Sequence, residues 1–190
     1  MLEQPKRQVA FYTPNKLYRG KIDIQNGDMR TLDLLNSSAI YWKNPKNKSF
    51  TDSIMLYDAI VELQGNIKLS EFDMLQLRMA DIIFFSDSLG TTGSATEKIR
   101  AEVLSKKSSE KESRVKIITR MRGDAFYMIV GTFFGLFRNK SQQRFLPIMK
   151  PKVREIVRTG ADWQKKEIEV SNSFIGLSTV HIEACSMDYE

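Results

Sequence analysis

Arginine, lysine and aromatic side chains interleave over residues 120–144. Arg120, Arg122, Phe126, Tyr127, Phe133, Phe134, Phe137, Arg138, Lys140 and Arg144 fall there, and Lys150, Lys152 and Arg154 follow. Such mixtures can bind single-stranded nucleic acid, with bases stacked on rings and phosphates paired with cations. The competing reading is that the rings fill a core while the cations face water. It is favoured for most of the rings, because they lie in a run too apolar for a wet face. The candidate anion contacts are therefore the cations: Arg120, Arg122, Arg138, Lys140, Arg144, Lys150, Lys152 and Arg154.

Other chemistry is sparse. The one histidine, His181, stands in an alternating apolar setting and cannot make a histidine-based metal site alone. No serine–carboxylate arrangement beside it forms a triad. The Gly90–Gly93 stretch lacks the Gly-Lys-Thr ending of a phosphate loop. Asp58 and Asp81 read as turn or edge residues rather than an acid–base pair. No enzymatic activity, cofactor or metal is expected. The one cysteine, Cys185, excludes a disulfide within the chain and points to a reducing, cytoplasmic setting.

The net charge of +6 is uneven. Residues 1–87 hold eleven Lys and Arg against eleven Asp and Glu, whereas residues 114–158 hold eleven against two. A local positive field attracts phosphate, anionic lipid or acidic protein, although a solvated surface has the same composition. No apolar run reaches the roughly 18 residues of a membrane-spanning helix. The N-terminal residues lack a signal-peptide pattern.

These residues need a scaffold, and the chain reads as a β-rich unit present twice. Residues 55–63 (MLYDAIVEL) align with 148–156 (IMKPKVREI), and 75–86 (LQLRMADIIFFS) with 168–179 (IEVSNSFIGLST). Ile60 then matches Val153, Leu63 matches Ile156, Leu75 matches Ile168, Leu77 matches Val170 and Ile82 matches Ile175. Arg19-Gly20 and Arg122-Gly123 are paired as matching Arg-Gly steps. Residues 9–24 predict two strands around Pro14-Asn15, residues 28–38 a helical turn and residues 39–42 a short strand. Residues 53–63 and 74–85 predict further strands. In the second copy, 145–149 and 153–157 predict strands broken near Pro151, 159–165 a loop and 167–179 the closing strands. A capping-box pattern at Ser94–Glu97 predicts a short helix in the polar stretch between the copies.

The expected fold is mainly β: two tandem small β-barrel-like domains, residues 8–87 and 114–180, joined by a partly helical linker, 88–113, and followed by an acidic tail, 181–190. Closing each sheet would remove exposed edges.

Two resemblances bear on this. VAFYTPNKLYRGKI and SIMLYDAIVEL resemble the strand pattern of Sm-like barrels, which implies a ring-forming, RNA-binding module. The Gly-rich late motif of that family is missing, and MRTLDLLNSS intrudes between strands. The series Arg19-Gly20, residues 29–36 and residues 58–61, with RFLPIMKPKVREI and EVSNSFIGLS later, is similar to small uncharacterised bacterial β-domains in tandem. That resemblance implies a bacterial, cytoplasmic, non-enzymatic protein with no catalytic residues to carry over. The leading expectation is a non-catalytic interaction protein that assembles with itself or a protein partner. The alternative is RNA or single-stranded nucleic-acid binding through the basic second copy. A third class is a small-ligand or nucleotide sensor in a cleft between the two barrels.

Overall fold

A computed structural model describes residues 5–25, 29–37, 41–43, 50–63, 67–87, 113–133, 144–170 and 174–188. The expected linker helix, Arg138 and Lys140 lie outside them. The first half contains β1 (Lys6–Tyr12), β2 (Lys16–Asp23), the helix α1 (Thr31–Leu35), β3 (Tyr41–Lys43), β4 (Phe50–Leu63) and β5 (Ile67–Arg78). A 3-10 turn, Met79–Asp81, then leads into β6 (Phe84–Asp87). The second half contains β7 (Ser113–Thr119), β8 (Ala125–Phe133), β9 (Phe145–Thr159), β10 (Asp162–Ile168) and β11 (Phe174–Ser178). Its own 3-10 turn, Thr179–His181, leads into β12 (Ile182–Asp188).

All pairings are antiparallel and join into one sheet, ordered β12-β7-β8-β9-β11-β6-β1-β2-β4-β3, with β10 beside β9 and β5 beside β4. The sheet is open. It runs through both halves rather than closing within each, because β6 of the first half pairs with β11 of the second.

The sequence patterns explain most of these elements. Pro14-Asn15 turns β1 into β2, and Thr13 caps the turn by donating from N and Oγ1 to the Lys16 carbonyl. The three-residue spacing of Met29, Leu32 and Leu35 gives α1, ended at Asn36. Buried Arg7 fastens it, donating from Nη1 to the Met29 carbonyl (2.7 Å) and Thr31 Oγ1 (3.2 Å).

Several expectations change. Residues 74–85 are not one strand: the 3-10 turn divides them, and β5 begins earlier, at Ile67. Residues 145–157 are one strand with a bulge rather than two. Residues read as a loop after Thr159 turn tightly at Gly160 (φ 64°) into β10. Residues read as an acidic tail include β12, which pairs with β7.

The path does repeat. β1, β2, β4, β5, turn and β6 are followed in the same order by β7, β8, β9, β10 with β11, turn and β12. Each half pairs its first strand with its second and its last. The repeat extends to backbone detail. Between Arg19 and Lys21 the β2–β4 ladder sets Gly20 against both Asp58 and Ala59, and Asp58 takes φ 48°. Between Val130 and Thr132 the β8–β9 ladder sets Gly131 against both Lys150 and Pro151, and Lys150 takes φ 46°. These are bulges that bend the long strands.

The glycines are needed for close approach. A Cβ on Gly20 would lie 2.8 Å from Leu56 and 2.9 Å from the Tyr57 carbonyl oxygen. One on Gly131 would lie 2.4 Å from Ile148 and 2.8 Å from the Met149 carbonyl oxygen. The true counterparts are therefore Gly20 and Gly131. Arg122-Gly123 belongs instead to the turn between β7 and β8, with Gly123 at φ 61°. Val153 answers to Val61 rather than Ile60. Ile175 answers to Leu75, since Leu56 pairs with Leu75 as Ile148 does with Ile175. The ungapped alignment is one residue out along β4 and β9, and it slips further because β5 is continuous where the second half has two strands.

Two cores lie on opposite sides of a shared wall. Val9 and Phe11 of β1 and Phe85 of β6 enter one core with Ile22, Leu35 and Leu56. Ala10 and Tyr12 of β1 and Phe84 of β6 enter the other with Ile117, Tyr127 and Ile148. Alternation on a strand sends successive side chains to opposite faces, so burial of both faces produces an unbroken apolar run. That accounts for residues 82–85. Each fully buried aromatic or aliphatic side chain contributes about 1.5–3 kcal/mol.

Candidate interaction surfaces

The halves meet through a β-ladder. Phe85 of β6 lies opposite Gly176 of β11, and Phe84 opposite Leu177. The Ile83 N–H donates to the Tyr12 carbonyl (2.8 Å), and the Ser178 N–H donates to the Ile83 carbonyl (2.8 Å). A Cβ on Gly176 would fall 2.0 Å from the Phe85 ring, so glycine is what lets that ring cross the junction. Phe85 packs its ring edge-on against Phe145 (5.4 Å) and Phe174 (6.1 Å), and tilted against Phe11 (6.1 Å). Phe84 stacks on Tyr12 (4.2 Å) and meets Tyr127 edge-on (5.2 Å).

Side chains reinforce the junction. His181 Nε2 lies 2.9 Å from the Ala80 carbonyl, linking the two 3-10 turns. A carbonyl only accepts, so Nε2 carries the hydrogen, and buried Nδ1 meets no partner among the described residues. Burial holds the imidazole pKa below its ordinary value, although the Ala80 contact opposes this. His181 is thus a neutral structural residue at the joint. Asn36 adds a second fastening: its Oδ1 accepts from the N–H groups of Arg144 (2.9 Å) and Phe145 (2.8 Å), and its Nδ2 donates to the Phe145 carbonyl (3.0 Å).

Outside this joint, four described strands, β3, β5, β10 and β12, have a neighbour on one side only, and two of them are the counterparts of the joined strands. β12 pairs only with β7, and β5 only with β4. Glu183, Ala184, Cys185 and Ser186 on β12 are exposed, as are Ile67, Leu69, Phe72 and Met74 on β5. Sequence inspection misses these edges, because composition carries no record of which strand has a neighbour.

A cleft of about 840 Å³ opens between the halves. Tyr12, Leu17 and Arg19 line it from the first half, and Lys152, Arg154 and Lys166 from the second. Four cations face two carboxylates, Glu167 and Glu169. Two cations are already engaged: Arg19 pairs with Glu62, and Arg154 with Glu167, each at 3.2 Å.

Of the eight candidate cations, Lys152 and Arg154 line this cleft. Arg120 and Arg122 sit at the β7–β8 turn, where the Arg120 N–H donates to the His181 carbonyl (2.7 Å). Arg144 pairs with Asp52 beside the Asn36 fastening. Lys150 occupies the β9 bulge. Tyr127 and Phe133 are core residues, and half-buried Phe126 packs on exposed Trp163 (5.9 Å). Among the described residues no group of three His, Cys, Asp or Glu side chains could hold a metal, and no helix is long and apolar enough to cross a membrane. No family model, no curated protein and no solved structure matches the chain.

Proposed function

We propose that the chain is a non-catalytic interaction and assembly protein, built from a duplicated, small, barrel-like β unit and working in the cytoplasm. One observation carries the reading: the two halves are joined by edge-to-edge strand pairing, while the corresponding outer edges have no neighbour among the described strands. Uncovered edges offer rows of backbone donors and acceptors to another strand. The exposed apolar residues on β5 add contact area that water does not favour. The resemblance to Sm-like and tandem β-domain proteins belongs to this proposal.

Sedimentation velocity over a concentration series tests it. Species heavier than the 21.9 kDa chain are expected. A chain that stays monomeric at high concentration, with no partner co-purifying from cells, overturns it.

The cleft supports a second reading, single-stranded nucleic-acid binding. Lys152 and Lys166 would meet phosphate beside Arg19 and Arg154. Anisotropy with short RNA and DNA across a salt series decides it. Binding that weakens steeply with salt and is lost in Lys152→Glu supports it, whereas absence of binding at low salt removes it.

A further inference from the structure

We infer that β12 of one molecule pairs antiparallel with the outer edge of residues 75–78 in β5 of a second copy, setting Cys185 opposite Gln76 and Ala184 opposite Leu77. This rests on the assembly reading and specifies its surface.

The register follows from the repeat. β6 and β12 are counterparts: each follows its half's 3-10 turn and pairs with that half's first strand. Phe85 lies opposite Phe11 as Cys185 lies opposite Ile117, so Cys185 holds the place of Phe85. Residues 75–78 and β11 are likewise counterparts. Ile54 pairs with Leu77 as Leu146 pairs with Leu177, so Gln76 holds the place of Gly176. Within the chain, Phe85 and Gly176 are directly opposite. Repeating that joint between chains brings Cys185 to Gln76.

Side-chain sizes fit the repeat. The internal joint sets a large ring against a residue with no side chain. The external one sets a small thiol against a longer amide. Small Ala184 replaces Phe84, and Leu77 stands where Leu177 does. At the first pair large meets small in both joints with the order reversed, and at the second the external pair, Ala184 and Leu77, is smaller than the internal pair, Phe84 and Leu177.

The exposures agree. All four residues of β6 are buried, whereas Glu183 to Ser186 of β12 are exposed. The joint also lacks one bond. His181 corresponds to Asp81, whose carboxylate cannot donate to the Val180 carbonyl as His181 does to Ala80. The pairing between chains is therefore weaker than the internal one and responds to concentration. Because it joins two different edges, each added copy presents a fresh one. Closed rings or open filaments result, not a two-fold dimer.

The native cysteine provides the test. Directly opposed antiparallel residues have Cα atoms about 4.5–5.5 Å apart, within the span of a disulfide. Gln76→Cys in the full-length chain, oxidised with copper phenanthroline and oxygen, should run as a ladder of disulfide-linked multimers that thiol reductant collapses. Replacing Cys185 by Ser in that variant should abolish the ladder. Ser70→Cys, six residues away on the same strand, should cross-link at least about tenfold less.

Sedimentation of the wild type runs beside this. Assembly with the expected cross-link supports the inference. Assembly without it, or equal linkage from Ser70→Cys, overturns this register and leaves the assembly reading standing. Linkage between two Cys185 residues, or between two introduced cysteines, means like edges meet and also overturns it. A strictly monomeric chain overturns both.

Discussion

β6 and β12 occupy the same place in the repeated path, yet one is wholly buried and the other mostly exposed. Their sequences record the difference: residues 82–85 read Ile-Ile-Phe-Phe, and their counterparts 182–185 read Ile-Glu-Ala-Cys. β6 is covered by β11 along its edge and by a core on each face. β12 has β7 alone beside it among the described strands. The repeated strand path thus joins one such pair of edges inside the chain and leaves their counterparts on β12 and β5 without a neighbour among the described strands.

Truncating the matched residues should expose this contrast most strongly. Phe85→Ala removes a ring that contacts three other phenylalanines, and such a cavity costs about 3–5 kcal/mol. Cys185→Ala at the matching position should change monomer stability by less than about 0.5 kcal/mol. Urea unfolding at low protein concentration measures both, and equal losses would show that the two strands are not differently embedded.

The bulges allow the opposite comparison, in which the halves should behave alike. Gly20→Ala and Gly131→Ala each push a methyl into a backbone carbonyl and a buried branched side chain. Each should cost about 1–3 kcal/mol. A neutral change at either site would mean that its long strand does not need the close approach.

The turns differ as the strands do. His181 is buried at the joint, whereas its counterpart Asp81 is exposed. Burial depresses the pKa of His181; the neighbouring charges are Arg122, Asp81 and Arg120. Its contribution is then fully present above the ordinary value of 6.5 and is lost as pH falls through the lower folded value. Urea midpoints between pH 7.5 and 5 should fall in the wild type. In His181→Gln, which can keep a donor toward Ala80, they should fall less. Parallel curves would remove His181 as the cause.

Much of the scaffold is legible from residue patterns. The Pro14-Asn15 turn, α1 and the apolar strands follow from turn chemistry and periodicity. A recurrence of the strand path is legible too, but not its register. Gly20 and Gly131 reveal that only through the side chains they approach, and a sequence does not display approach. The cations fare worst. Their number is plain in the sequence, but only folding places Lys152 and Arg154 in the cleft and Arg144 on Asp52.

Glu155 makes the smallest and most specific test of that distinction. It is the one glutamate among the cations of residues 114–158, and it is 1% exposed. Across the ladders it lies beside Tyr127 on one side and Lys166 on the other. Burial raises its pKa; Lys166 and a hydrogen bond from Tyr127 pull it down but do not cancel the shift. A raised folded value means that the protonated form suits the native state. Its contribution is complete below the ordinary value of 4.5 and is lost as pH climbs through the folded value. Glu155→Gln keeps the shape and removes the titration, so its advantage over wild type should grow between pH 4 and 7. If the difference stays constant with pH, Lys166 compensates the buried charge fully. The second half would then hold its excess positive charge partly to neutralise its own interior.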